Sequence, residues 1–223
     1  MASSFAYTAL DTSSWDKSCT GKNIWHRLTN QERAVWNAAF PYQDVRNDKG
    51  HIEHVVYFAL ALLERWQEPV NRSVAMAGAI LHDIGWGLLP KEEVALFTPV
   101  SDPAAFKRNE PYLRKRHQDL GAIKAREILS QVPGYSPAQI GHAVEIVQGH
   151  DTRQGFYSSE DGLARDADKL WRFTLRCFEV YKPGRDALAP HRAWIDKPGF
   201  FYSDISRRIA IAELAQTEQR YQF

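Results

Sequence analysis

An apolar run in the middle of the chain, AGAILHDIGWGLLP at 77–90, contains a histidine and an aspartate side by side. Burying two such side chains without partners costs several kcal/mol. His82 and Asp83 must therefore form hydrogen bonds with each other and with a nearby backbone group, or lie beside a bound cation. A bound dication removes the difficulty, because the buried carboxylate is then paired with an opposite charge.

Further histidines and one further aspartate fall near the ends of predicted helices. Consecutive helices of a bundle tend to be antiparallel neighbours, so their ends can converge. Imidazole suits Zn, Fe, Mn and Co, and a carboxylate can bridge two ions. Because adjacent helical residues point about 100° apart, Asp83 can face a point between two ions while His82 faces one. The candidate metal ligands are His51, His82, Asp83, His117, His150 and Asp168.

Seven segments with apolar residues at helical spacing predict the helices that must position these groups. The N-cap candidates are Thr29 or Asn30, Asn71, Ser136 and Ser203. No sustained alternation of apolar and polar residues indicates a strand, so the fold is predicted to be an all-α, single-domain helical bundle. The segments 88–112 and 182–202 are predicted to be irregular, although 90–97 allows a short helix. The predicted helices are 24–40, 51–66, 71–85, 113–132, 136–150, 163–181 and 203–222.

The bulk composition narrows the class of protein. A chain of 223 residues suits one domain with extensions. We expect an irregular arm over 1–23, a helical domain with the metal site over 24–181, and a C-terminal loop and helix over 182–223 packed on that domain. A net charge of +1 indicates neither a nucleic-acid nor a membrane partner. With two cysteines and no signal-peptide pattern, a cytoplasmic protein is expected; the oligomeric state stays open.

The ordered pattern H…HD…H…H…D resembles the HD-domain superfamily of metal-dependent phosphohydrolases. GHIEHVVYFALALL, AGAILHDIGW, KRHQDLGAIKAREIL, IGHAVEIVQGHD and RDADKLWRF carry this resemblance over roughly 45–180. An HD dipeptide alone is common, whereas the ordered set in these contexts is specific. The motif register selects His51 over His54 as the first ligand, and Asp168 over Asp166 as the last.

The resemblance implies two divalent or transition-metal ions, of which iron is favoured and Mn, Mg, Zn or Co are alternatives. One ion is expected to be held by His51, His82, Asp83 and Asp168. Asp83 would bridge to the second ion, which His117 and His150 would hold.

Several other side chains are candidates for catalysis or for substrate binding. His54 or Asp151 could protonate a leaving group beside Asp83. Alternatively Asp151 orients an imidazole or ends a helix, and His54 orients a metal ligand, contacts the substrate or lies on the helix surface. The basic residues over 107–116 form either a solvated face or a cap over the site. His142 is expected to be structural, with His26, His191 and Asp166 at the surface. The substrate-binding candidates are Arg153, Lys169, Arg172, Trp86 and Tyr42.

The resemblance implies two enzymatic functions. The first is hydrolysis of a small phosphate ester or nucleotide by water activated between two cations. The second is oxygen-dependent cleavage of a C–C or C–P bond, for instance of an organophosphonate, by a mixed-valence di-iron centre. Many dinuclear hydrolases of the group read HDIGK, whereas this chain has Trp86 at the lysine position, which leaves room for the oxygenase. A binding module without catalysis would be indicated by missing ligands, and none is missing.

Overall fold

The computed structural model describes residues 24–46, 48–97, 103–181 and 188–220. Within these ranges the regular structure is helical throughout, without a strand, which confirms the all-α bundle. The arm expected over 1–23 lies outside the described residues. Short 3-10 helices occupy Trp25–Arg27, Phe40–Tyr42 and Ile84–Leu88. The α-helices are α1 (Asn30–Ala39), α2 (His51–Leu63), α3 (Arg72–Leu81), α4 (Lys91–Leu96), α5 (Pro103–Gln131), α6 (Pro137–Gly149), α7 (Ser159–Trp171), α8 (Leu175–Tyr181), α9 (Leu188–Asp196) and α10 (Asp204–Arg220).

Side-chain caps begin the helices near the expected residues. Thr29 caps α1 in a reciprocal capping box with Glu32. The Asn71 side chain accepts a hydrogen bond from the Val74 amide and begins α3. Ser136 caps α6, with Pro137 in the first turn, where its missing N–H costs nothing. These caps satisfy amides that a helix start leaves unpaired.

Three predicted segments differ from the structure. Helix α5 begins at Pro103 and continues through Pro111, where a loop was expected over most of 88–112. An ion pair between Arg114 Nη2 and Glu110 Oε1, 2.8 Å apart, spans Pro111 and stabilises this turn of the helix. The predicted helix 163–181 is interrupted between α7 and α8. There the Thr174 hydroxyl accepts a hydrogen bond from the Cys177 amide and so caps the start of α8. The predicted loop 182–202 contains α9.

Helices α2, α3, α6 and α7 pack against one another and form the centre of the bundle. Helix α2 is buried on almost every side, and α3 is fully buried from Val74 to Leu81. Helix α5 packs along α6 and against the 3-10 helix Ile84–Leu88. Helix α10 contacts α7, α8 and α9, so the C-terminal segment rests on the helices that precede it. None of the described helices is both long and apolar enough to cross a bilayer.

A glycine contact sets the distance between the HD segment and α5. A Cβ atom on Gly85 would lie 1.7 Å from the carbonyl oxygen of His117 and 2.8 Å from the amide nitrogen of Gly121. No side chain fits between two backbones at this distance. The close approach brings the Asp83 segment next to the α5 residue His117.

Replacement of Gly85 by alanine should therefore destabilise the fold by about 2 kcal/mol or more, because the backbones must separate. Urea unfolding of the metal-free protein measures this change. Gly141→Ala is the matched control, since no heavy atom lies within 4 Å of the Cβ it would add inside α6. That control should gain about 0.5–1 kcal/mol from helix propensity. Equal stability of the two variants would contradict the close contact.

Candidate metal centre

Donor atoms from five helices converge at one end of the bundle. Each imidazole is buried, and both carboxylates are largely buried. Three of the six residues lie at the end of an α-helix or one residue beyond it, and Asp83 directly precedes the 3-10 helix Ile84–Leu88. His51 begins α2, His82 and Asp83 follow α3, His117 lies within α5, His150 follows α6, and Asp168 lies in α7.

The Asp83 carboxylate lies between two pairs of imidazoles. Its Oδ2 atom is 3.5 Å from Nε2 of His51 and 3.5 Å from Nε2 of His82. Its Oδ1 atom is 3.4 Å from Nε2 of His117 and 3.3 Å from Nε2 of His150. One carboxylate thus presents one oxygen to each histidine pair, as a bridging ligand does.

Asp168 extends the donor set of the first pair. Its Oδ1 atom is 3.4 Å from Nε2 of His51 and 3.6 Å from Nε2 of His82. The two Nε2 atoms are 3.1 Å apart in this pair, and 3.3 Å apart between His117 and His150.

The donor spacing fits transition-metal ions. With a metal–ligand distance of about 2.1 Å, neighbouring donors lie about 3.0 Å apart at right angles and about 3.4 Å apart in a tetrahedron. The distances between donor atoms, from 3.1 Å to 3.6 Å, match this range. The set of four imidazoles and two carboxylates suits Fe, Mn, Co or Zn better than the all-oxygen surroundings that Mg²⁺ prefers.

Backbone carbonyls fix the orientation of three of the imidazoles. Nδ1 of His82 lies 2.9 Å from the Ala79 carbonyl oxygen, and Nδ1 of His150 lies 2.8 Å from that of Val147. Nδ1 of His117 bonds to the carbonyl one turn earlier in α5, at 3.1 Å. A carbonyl can only accept, so Nδ1 carries a proton, and Nε2 is the ring nitrogen that faces the centre and is left to bind a metal ion.

The electrostatics of the cluster favour a cation. Burial alone would raise the pKa of Asp83, but Arg46 and His82 hold it well below its usual range. Likewise the pKa of Asp168 is lowered against the effect of burial, chiefly by His82 and His51. Burial lowers the pKa of His82, yet Asp83 and Asp168 together raise it to about 9. The two ionised carboxylates therefore stabilise positive charge at the Nε2 positions.

Arg46 is a site residue that the sequence reasoning missed. Its guanidinium donates to Asp83 Oδ2 at 2.6 Å and to Asp48 at 2.6 Å. It also lies over the Trp86 ring, 5.0 Å from the centroid. Arg46 lies in a turn-rich segment without a motif, so only its position five residues before His51 could have drawn attention to it.

Trp86 and Asp151 adjoin the second histidine pair. The Trp86 ring stacks on His117, with centroids 4.2 Å apart, and its Nε1–H donates to Asp83 Oδ1 at 3.1 Å. Asp151 Oδ2 is 3.7 Å from Nε2 of His117 and 2.7 Å from a guanidinium nitrogen of Arg114. Against burial, His150 and Arg114 lower the pKa of Asp151, so its carboxylate stays ionised.

Four of the other candidates do not reach the donors. His54 is fully buried; its Nδ1–H donates to the Gly50 carbonyl, and burial lowers its pKa to about 3, so it is not a proton donor near neutral pH. Arg153 binds Glu145 instead of facing the centre. Lys169 donates to the Phe200 carbonyl, and Tyr42 lies beneath Lys124. The candidates His54, Arg153, Lys169 and Tyr42 are thus absent from the lining of the large cavity at the centre.

Two surface assignments were wrong, and one was right. Asp166 is fully buried, because its carboxylate accepts hydrogen bonds from the amides of Tyr202 and Ser203 ahead of α10. His191 is buried among aromatic rings of the C-terminal helices. His26 is exposed, as expected.

The two remaining predictions concern His142 and the basic residues over 107–116. His142 forms a hydrogen bond of 2.7 Å with the Ser158 hydroxyl. This contact lies away from the donor atoms and is structural, as expected. In the basic run, Lys115 pairs with Asp119 on an exposed face, whereas Arg114 reaches the cavity. The run is therefore partly solvated and partly a wall of the site.

A cavity of about 380 Å³ opens onto the donors. The candidate ligands His51, Asp83, His150 and Asp168 border it, together with Asp151. Three arginines from different parts of the chain also line it: Arg46, Arg114 and Arg172. Three carboxylates, of Asp83, Asp151 and Asp168, balance these charges in the same lining. Cations bound at the donors would therefore make the cavity positive, and its expected occupant is then a small anion.

Comparison of the chain with family models, with curated proteins and with solved structures finds no match.

Substitutions should separate the two halves of the centre. The wild type is expected to bind two equivalents of metal, and Asp83→Ala should lose both, because one oxygen faces each pair. His117→Ala or His150→Ala should lose one equivalent and retain the other. Elemental analysis after dialysis measures the content, with His142→Ala as a control that keeps two. Retention of both metals by Asp83→Ala would contradict the bridging role.

His54 should contribute to the pH dependence of stability. Burial lowers its pKa to about 3 in the fold, against 6.5 for an exposed histidine. Between these values the unfolded chain binds the proton, so stability falls as pH decreases, by at most about 1.4 kcal/mol per pH unit from this group. In His54→Gln this part of the slope should vanish, as measured by urea unfolding from pH 5 to 7 with chelator. Identical slopes would show that His54 is protonated in the fold.

Proposed function

We propose that this protein is a metal-dependent phosphohydrolase with a dinuclear centre, and that it is a divergent member of the HD-domain superfamily. The observation that carries the proposal is the position of the Asp83 carboxylate, which offers one oxygen to each of two imidazole pairs beside an arginine-lined cavity. The ordered motif supports the family assignment, since all six of its positions lie within this one cluster.

The chemistry of the centre follows from its donors. A pair of cations held there supplies Lewis acidity, which polarises a phosphoryl oxygen and lowers the pKa of a shared water. His51, His82 and Asp168 would hold one cation, His117 and His150 the other, and Asp83 both. The backbone bonds to Nδ1 keep the imidazoles in place before a substrate arrives, which reduces reorganisation.

Arg172 is the residue best placed to bind the phosphoryl group. It follows α7 next to Trp171 and lines the cavity, and its charge contributes to lowering the pKa of Asp168. Arg46 and Arg114 line the same cavity but already pair with Asp83 and Asp151. A guanidinium without a carboxylate partner can turn both of its N–H edges toward a phosphate.

Asp151 is suited to orient a water molecule and not to protonate a leaving group. Its carboxylate lies near Nε2 of His117 and His150 and is kept ionised by Arg114 and His150. An ionised carboxylate accepts a hydrogen bond from water. This replaces the acid role that was considered for Asp151 in the sequence.

A di-iron oxygenase is the second candidate. The observation that favours it is Trp86, whose indole packs on His117 where many dinuclear hydrolases have a lysine. An apolar ring there removes a cation that would otherwise contact a phosphate. A site rich in imidazole also accepts iron.

Metal-dependent assays distinguish the two functions. The hydrolase should release phosphate from p-nitrophenyl phosphate with Mn²⁺ at the same rate in air and under nitrogen. Asp83→Ala should lower that rate at least about a hundredfold, because it removes a ligand of both cations. Oxygen uptake with a phosphonate, together with an EPR signal from coupled Fe(II)/Fe(III), would instead establish the oxygenase. Neither activity in protein loaded with two metals would contradict both.

A further inference from the structure

We propose that the cavity selects a phosphate or phosphonate whose organic group is an apolar aromatic ring, with Arg172 binding the anion and side chains of α8 and α9 holding the ring. This inference rests on the proposed function, because it names the substrate class of the same site.

Aromatic side chains form a large part of the cavity lining. Phe178 and Tyr181 from α8 line it together with Trp194 from α9, and Phe106 from α5 also contributes. Aromatic rings prefer edge-to-face or offset contact with other rings. A volume of about 380 Å³ accommodates a phosphoryl group together with one or two rings.

The aromatic wall is held in place before any ligand binds. Trp194 stacks on Phe200, with ring planes 6° apart, and packs against His191 at 4.8 Å between centroids. His191 in turn contacts Phe178, with centroids 5.0 Å apart. A wall ordered in this way binds an apolar ring without the entropic cost of ordering the side chains.

The polar groups of the cavity do not suit a nucleoside. Base edges and ribose hydroxyls are recognised by amide and hydroxyl side chains, among other groups. Among the described residues that line the cavity there is no Asn, Gln, Ser or Thr. Its polar groups are charged or are imidazoles, apart from the Tyr181 hydroxyl, the Cys177 thiol and the indole N–H groups of Trp171 and Trp194. The described lining therefore favours an apolar ring over a base.

Arg172 and the aromatic wall can be tested separately by ligand binding. Among the described residues Arg172 forms no hydrogen bond through its guanidinium and no ion pair, so it is free to bind an anion. Calorimetry on the full chain loaded with Zn²⁺ should show phenylphosphonate binding about tenfold or more tightly than methylphosphonate. Arg172→Gln should weaken both by a similar factor, about tenfold to a hundredfold.

Substitutions in the aromatic wall should weaken binding of the ring and not of the phosphonate group. Trp194→Ala should reduce the ratio of phenylphosphonate to methylphosphonate affinity toward one and leave methylphosphonate binding unchanged. Tyr181→Ala provides a second variant, since this side chain is 45% exposed and its loss should not unfold the helix. The matched control is Tyr157→Ala, an exposed ring outside the cavity, which should keep the ratio of the wild type. Circular dichroism confirms that each variant is folded.

Several outcomes would overturn the inference. They are equal affinity for the two phosphonates, tighter binding of AMP than of phenylphosphonate, or an unchanged ratio in both wall variants. If two metals bind and p-nitrophenyl phosphate is hydrolysed, such results refute the ring preference alone. If no metal binds, the proposed function fails, whereas the ring preference is still measured with the metal-free protein through quenching of tryptophan fluorescence.

Discussion

A buried carboxylate shared between two imidazole pairs is the constraint around which the fold is organised. Asp83 contacts His51 and His82 through one oxygen, and His117 and His150 through the other. Such a charge is costly in a protein interior unless cations or hydrogen bonds surround it. Within the described chain Arg46 and the Trp86 N–H provide part of that compensation. A pair of metal ions would provide the rest.

The hydrogen bonds that end α3 and α6 also orient two of the candidate ligands. His82 and His150 each follow a helix, and their Nδ1 groups donate to carbonyls three residues earlier, at Ala79 and Val147. Carbonyls in the last turn of a helix have no intrahelical partner. The imidazoles satisfy these carbonyls and turn Nε2 toward Asp83. Termination of α3 and α6 and construction of the centre are therefore one arrangement, and the close approach at Gly85 adds α5 to it.

The fold class and the ligand cluster could be predicted from the sequence because both depend on local pattern. Helical periodicity and the caps at Thr29, Asn71 and Ser136 locate the helix starts. The spacing of the candidate ligands places His51, His82, Asp83 and His150 at or near helix ends, whereas His117 lies in the middle of α5, which begins earlier than expected. His51 and His54 share a helical face, yet only the motif register distinguished them, and the structure brings His51 alone to Asp83.

Long-range packing explains most of what the sequence could not provide. Arg46 reaches Asp83 from an irregular segment, and Asp166 is buried because the chain returns 36 residues later to donate two amides. Arg153 lies in the loop three residues after His150, and its side chain turns back to Glu145 on the preceding helix α6. Helix α9, which carries Trp194 of the cavity wall, has weak periodicity and proline within it. The partners of Arg46 and Asp166 are thus remote in sequence, and α9 contains a residue that usually breaks a helix.

Anomalous diffraction from crystals grown with Mn²⁺ tests the central claim most directly. The account predicts two peaks about 3.5–4 Å apart, one beside His51, His82 and Asp168 and the other beside His117 and His150, with the Asp83 carboxylate between them. No peak at this position in a folded crystal, with the imidazoles and carboxylates hydrogen-bonded to one another instead, would contradict it.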